Sequence, residues 1–281
     1  MKGKREDCSF FWHNLTVFFI PFSDFPAYNS RVPTPFYHLS VAEDLLRRPE
    51  LPAGNLKVLL DYRPAFLLGN TAPDVQTVSG QSRQATHFFE VPILPGAPPA
   101  WEKLLALHPS LARSRQSPEG AAFLSGYLCH LQADWQWVVK IFSPVFGPRA
   151  GWKTFRRRLY LHNVLRAYLD QQILDQLRPE LGVELGQAFP GQWLPFVEDA
   201  NLCQWRDFLA QQLHPGSKVQ TVEVFAARQG LEPQEYYALL SSEERLEQEI
   251  FNRLPRQVLQ GYRQRLLEAN TRLIVAYLNG V

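Results

Sequence analysis

Apolar side chains recur along most of this chain at three- and four-residue spacing, the period of a helix with one buried face. The pattern predicts helices over about 38–48, 55–68, 100–107, 119–142 and 152–177. Further helices are predicted near 202–213, 218–229, 233–251 and 255–278. Pro49 should stop the first and Pro64 bend the second, since proline lacks the backbone donor a helix interior needs. The segment 119–142 is apolar on nearly every side, as a helix enclosed by others must be. No run alternates with period two for long enough to argue for a sheet, and no internal repeat is visible. The expected fold is all-α, a single multi-helical, bundle-like domain over residues 33–281. Residues 69–99 lack a sustained period and read as a long loop, a feature that inside a compact domain usually carries function.

Composition narrows the class. Hydrophobic residues make up 46% and charged residues 20% of 281 positions, which is ordinary for a globular chain and excludes general disorder. The net charge of +2 is too small for a nucleic-acid footprint built on bulk charge, so a nucleic-acid partner is not favoured. Three cysteines, Cys8, Cys129 and Cys203, are too few and too scattered for a disulfide scaffold or a cysteine-based zinc site. The 22 prolines exceed the usual share of about 5% and predict helices punctuated by ordered loops. No apolar run approaches the roughly 20 residues of a spanning helix. Residues 1–32 stand apart and resemble a poor signal peptide: a basic start, then CSFFWHNLTVFFIPF, interrupted by His13 and Asn14, with no A-x-A cleavage site. They read as an extension outside the native fold. A cytoplasmic chain is favoured, with secretion as the alternative if that segment acts as a signal.

The chemistry lies in polar residues set among apolar ones. In AAFLSGYLCHLQADWQWVVKIF, His130 and Asp134 are four apart and share one helix face. A buried aspartate is costly unless it is paired or bound to a metal, so this couple either satisfies itself in the core or binds an ion. The loop adds Asp74 in GNTAPDVQ and His87 in RQATHFF, and the first helix opens with His38 in TPFYHLSVAEDLL. Three imidazoles and two carboxylates suit zinc, which accepts both nitrogen and oxygen. Asp74, His87, His130 and Asp134 can complete one tetrahedral site, and the second oxygen of Asp134 can bridge to a further ion held by His38. Arg83, four residues before His87, is a candidate phosphate contact or a solvated loop residue. Lys153, Arg156, Arg157 and Arg158 form a basic run that fits either an anionic lipid surface or a solvated helix face. Cys129 reads as a small core residue and Trp135 and Trp137 as core or site wall, while His108 and His214 sit in turns that suggest no chemistry. No Gly-rich phosphate loop, nucleophile elbow or H-E-x-x-H is present.

TPFYHLSVAEDLL, GNTAPDVQ, RQATHFF and GYLCHLQAD, in that order, resemble the zinc-dependent phospholipase C family, whose wider relatives include zinc-dependent single-strand nucleases. The resemblance covers about residues 33–142 and extends loosely to about 175. It implies an all-α fold of that type and a zinc-dependent phosphoric ester hydrolase. The substrate would be a phosphodiester such as a phospholipid, met at a membrane surface. A nuclease, a phosphomonoesterase or a non-catalytic zinc-stabilised protein is the alternative. Carried over by position, Asp74, His87, His130 and Asp134 hold one zinc, Asp134 bridges, and His38 joins it on a second. Asp74 would also hold the attacking water and assist as a base.

The chain departs from the family in three places. Relatives carry a His six residues after the Asp of H-x3-D, where this chain has Lys140. That Lys is expected either to bind the phosphate in place of a third zinc or to turn away from the pocket. Relatives also carry a later H-x3-E or H-x3-D, but His162 is followed four residues on by Arg166. Asp170 lies two helical turns after His162, so the two are candidates for a rearranged third metal site, a substrate contact, or pairing within the bundle. Finally, the family uses its mature N-terminal amine as a ligand beside the first His. An internal peptide nitrogen cannot do this, because its lone pair is delocalised into the carbonyl. The nuclease relatives begin five residues before that His, which here is Pro33. A bacterial chain initiated at Val32 and trimmed would leave Pro33 with a free amine to serve as ligand.

Overall fold

In the computed structural model, residues 32–280 are described. Every regular element among them is helical and none is a strand, as the periodicity predicts. The order is α1 (Pro35–Leu45), α2 (Ala53–Asp61), α3 (Arg63–Gly69), α4 (Gln76–Ser79), α5 (Arg83–His87), α6 (Ala100–Leu107) and α7 (Pro118–Trp137). There follow α8 (Phe155–Leu174), α9 (Leu181–Gly186), α10 (Asp199–Gln212), α11 (Thr221–Gln229), α12 (Pro233–Leu240), α13 (Glu243–Leu246) and α14 (Arg256–Leu278).

Local chemistry explains where these boundaries depart from the periodic reading. The first helix begins ahead of His38, because Thr34 caps it by accepting from the Tyr37 amide and Pro35 fills its first turn. The segment 55–68 is two helices rather than one bent one. Tyr62 leaves helical geometry, and Pro64 sits in the first turn of the new helix, where its missing N–H costs nothing. The expected loop 69–99 holds α4, α5 and a 3₁₀ turn at Ala72–Val75. The long helix expected to reach residue 142 stops at Trp137 and winds on as a wider π-helical segment, Val138–Phe146, which contains Pro144. In an α-helix that ring would meet the carbonyl of residue 140, and the wider winding relieves the clash. The 233–251 segment is likewise divided, and α9 has no counterpart among the expected helices.

α7 is the centre of the fold, buried at every residue from Gly120 to Leu131, and packs against α3, α14, α6 and α2. Its contact with α3 is close enough to require glycine on both sides. A Cβ on Gly126 would come inside 3.0 Å of the Phe66 carbonyl and the Asn70 amide, and one on Gly69 inside 3.0 Å of the Phe123 carbonyl. This approach carries the chain after α3, with Asn70 and Asp74, against the face of α7 that bears His130 and Asp134. α1 packs on α8, α14, α3 and α7, which brings His38 to the same place. Buried Glu43 of α1 pairs with Arg63 and Arg178, both of which also pair with Glu184 of α9, tying α1, α3 and α9 together.

Candidate metal centre

Each predicted ligand is delivered by a different device. His38 lies in the first turn of α1. Asp74 lies in the 3₁₀ turn after α3, and His87 is the last residue of α5. Gly80 ends α4 with a φ of 71°, a conformation that costs glycine little. Phe88 closes α5 with a φ of 62°, which is unusual for a bulky residue. Its ring packs edge-on against both His108 and Phe196, and that packing holds the backbone turn. The turn leaves His87 facing inward and Phe89 beside it.

The five side chains, spread over nearly a hundred residues, converge. His38, His130 and Asp134 offer ligand atoms within 4.8 Å of one another, and so do Asp74, His87 and His130. His38 and His130 stack with ring centroids 3.8 Å apart. The two oxygens of Asp134 divide the site. Oδ1 lies 3.2 Å from His38 Nε2, while Oδ2 lies 3.3 Å from His87 Nε2 and 3.5 Å from His130 Nε2. Asp74 Oδ1 lies 3.4 Å from His87 Nε2. All five residues are buried, Asp74 being the most exposed at 5%.

Neighbouring groups fix which nitrogen faces the centre. His130 Nδ1 lies 2.8 Å from the Asn70 carbonyl, which can only accept, so Nδ1 donates and Nε2 keeps its lone pair. His87 Nδ1 lies 3.0 Å from the Thr86 hydroxyl, which itself donates to Gln76. That hydroxyl has one proton to give, so it accepts from His87 Nδ1 and again leaves Nε2 with a lone pair. Tyr127 holds Thr86 in place by donating to its carbonyl. The Nε2 atoms of all three histidines are buried without a hydrogen-bond partner, as is Oδ1 of Asp134. The Nε2 lone pairs of His87 and His130 face Oδ2 of Asp134, and a cation between them would remove both the repulsion and the unmet bonding. The donor set therefore fits zinc.

The charges agree. Burial holds the His38 imidazole down to about 4, reinforced by the nearby His130, so it stays neutral at neutral pH. For Asp134, burial pushes upward but is outweighed by His130, His38 and His87, which hold the carboxyl well below its usual range. Burial also pushes Asp74 upward, and His87 and His130 outweigh it, holding that carboxyl down to about 2. His130 is raised, because Asp134 overcomes the effect of burial. A proton and a metal ion thus compete for the same imidazole nitrogen.

The remaining candidates fall elsewhere, with one exception. Arg83 reaches the centre and pairs with Asp134 Oδ2. Lys140 is exposed on the π-helical segment Val138–Phe146. His162 and Asp170 are not brought together. His162 lies among Trp137, Phe142 and Phe146, and its Nε2 accepts from Trp137 at 3.0 Å. Asp170 accepts from Thr34 and from Thr221. Among the described residues neither belongs to a group of three or more potential ligands that could hold a metal ion. Pro33 is buried just ahead of the α1 cap. The extension placed at residues 1–32 lies outside the described residues apart from Val32, which is fully buried in the core and belongs to the fold. The basic run after residue 152 lies mostly on the surface, with Arg157 paired to Glu249.

Asp170 has a consequence for stability. Burial raises its carboxyl to about 6, against the hydrogen bonds from Thr221 and Thr34 and the charge of Arg166. The folded state therefore keeps this proton at pH values where the unfolded chain, at an ordinary 3.8, has released it. Stability from this group is fully present below about pH 4 and is lost as pH rises to about 6, by roughly 3 kcal/mol. D170N should remove that slope and be the more stable protein at pH 7. Urea unfolding of both proteins from pH 4 to 7 measures the difference, and parallel curves would refute it.

Residues 37–137 match the model of a family described as zinc dependent phospholipase C. The matched stretch contains all five converging residues and Arg83, and ends before Lys140, His162 and Asp170. Over this stretch, about a third of its length, the chain is similar to that family. No curated protein and no solved structure matches it. Sequence reasoning did not find the supports around the ligands. The Asn70 contact is a backbone carbonyl, which no side-chain pattern announces. Thr86 and Gln76 lie within two residues of the predicted ligands His87 and Asp74, and glycines at 69 and 126 were the available signal for the close helix contact.

Proposed function

We propose that this protein is a zinc-dependent hydrolase of phosphate esters that cleaves a phosphodiester of the phospholipid kind. The observation that carries the reading is the meeting of three unpartnered imidazole nitrogens and two carboxylates at one buried point. Asp74, His87, His130 and Asp134 would hold one zinc, and His38 with the other oxygen of Asp134 a second. Bound zinc supplies a water of lowered pKa and a Lewis acid for the phosphoryl oxygens. Asn70 and Thr86 keep the Nε2 lone pairs of His130 and His87 turned inward. Asp74, ionised at neutral pH, would accept a hydrogen bond from a water at the centre and orient it. Phe89 and Trp135 pack edge-to-face beside His87 and exclude bulk solvent. No helix among the described residues is long and apolar enough to cross a membrane, so a lipid substrate would be met at the bilayer surface.

A second reading is favoured by the depth of burial. Four of the five residues are at most 1% exposed, as in a closed zinc site that only staples the 69–99 segment to the bundle. Metal content of chelator-free protein, with hydrolysis of a phospholipid, a chromogenic diester, a chromogenic monoester and single-stranded DNA, separates the readings. The expected result is one or two zinc ions per chain, as such a donor set allows, and diester hydrolysis that chelation abolishes and zinc restores. Zinc without hydrolysis of any substrate would leave the stapling role. Protein purified without zinc and unable to take it up would defeat both.

A further inference from the structure

Arg83 has a position that ligation of a metal does not explain. It is the first residue of α5 and lies one helical turn before His87, so both side chains project from the same face of that short helix. Both reach the same oxygen, Oδ2 of Asp134. The Arg83 guanidinium is wedged between this carboxylate and the ring of Phe89, 4.7 Å from the ring centroid. Phe89 is braced in turn against Trp135, with centroids 5.5 Å apart. The guanidinium is therefore held in one plane against an aromatic face rather than waving from a loop.

Two further observations indicate what it is held for. One terminal nitrogen contacts Asp134, while Nε is buried without a hydrogen-bond partner. The planar fork of donors is thus engaged at a single point and has capacity left over. Such a fork matches two oxygens of a phosphate or carboxylate group. Burial is also graded across the site. The side chains of His38, His87, His130 and Asp134 are at most 1% exposed, whereas Asp74 reaches 8% and Arg83 16%. A ligand arriving from solvent meets Asp74 and Arg83 first. Of these two, only Arg83 attracts an anion.

We propose that Arg83 is the anion-recognising residue of this site, its guanidinium gripping a phosphoryl oxygen of the substrate while its contact with Asp134 keeps it in place. The proposal rests on the phosphate-ester reading and adds to it the residue that selects a negatively charged phosphoryl group. It predicts recognition of the phosphate oxygens shared by a lipid headgroup and a free phosphate ion.

The test uses the full zinc-loaded chain and inorganic phosphate as the probe. Phosphate binding is measured by calorimetry for wild type, R83Q and R83K, with zinc content determined on the same samples. R83Q should keep its zinc and bind phosphate at least ~10-fold more weakly, since it loses a charge-assisted fork. R83K should fall between the two, because an ammonium offers charge without the fork. With a soluble diester, the R83Q loss should appear mainly in KM. Equal phosphate affinity in wild type and R83Q would overturn the proposal, as would wild-type protein that binds no phosphate. If R83Q sheds its zinc, zinc-loaded R83K decides, and affinity equal to wild type overturns the fork. The underlying reading fails differently. Zinc-loaded wild type that binds phosphate through Arg83 but hydrolyses no phosphate ester would leave the anion site standing without the enzyme.

Discussion

Replacing Asp134 by alanine should empty the metal centre. Its two oxygens face all three histidines, Oδ1 toward His38 and Oδ2 toward His87 and His130, so on the proposed zinc reading one substitution would remove a ligand from both halves of the site. Loss of an outer-shell partner already costs about 10–100-fold in metal affinity, and loss of a bridging ligand should cost on the order of 100-fold or more. Zinc measured after dialysis should drop to background, and phosphodiester hydrolysis with it. The thermal response separates this from simple unfolding. Zinc bound to the folded chain stabilises by mass action, so wild type should melt at a higher temperature when zinc is added and D134A should not. D134N keeps the volume of the side chain and should behave as D134A does, because the charge is what it lacks. Undiminished zinc in either variant would refute the bridging role of Asp134.

Changing Gly126 to alanine should destabilise the whole fold and damage the site without touching a ligand. The added methyl group meets the Phe66 carbonyl and the Asn70 amide, which are backbone groups and cannot swing aside. Overpacking of this kind costs about 3 kcal/mol when the neighbours are rigid. Relief requires α3 to move off α7, and α3 leads directly into Asn70, whose carbonyl orients His130, and on to Asp74. Zinc affinity should therefore fall together with stability. Denaturant unfolding and zinc titration of G126A measure both, and a variant as stable as wild type would show that the two helices can separate freely. The exposed Gly54, with nothing within 4 Å of an added Cβ, provides the control position.

The helical class and the five converging residues are legible in the amino-acid sequence itself, and the reasons are local. An apolar period of three to four residues reports a helix because side chains at that spacing share a face. A histidine and an aspartate four apart in a segment apolar all round have to be paired or to bind metal, since a lone buried carboxylate is too costly. Asp74 and His87 are visible only through the ordered motifs, because nothing in a loop sequence states which way its side chains turn. The tertiary structure decides that. Phe88 reverses the chain on a positive φ braced by His108 and Phe196, and His87 faces the centre as a result. Packing also decides the status of Arg83, which the sequence leaves between a phosphate contact and a solvated loop residue and which the fold places against Asp134. That Lys140 stands where the resembled family carries a histidine is visible only by comparison with that family, and its exposure on the π-helical segment that contains Pro144 is visible only in the fold. His162 and Asp170 show the limit most clearly. Helical spacing puts them on nearly one face, yet each takes partners from other elements, Trp137 for one and Thr34 and Thr221 for the other. Periodicity sets direction within a helix, while the partner a buried polar group meets is set by whichever distant segment packs against it.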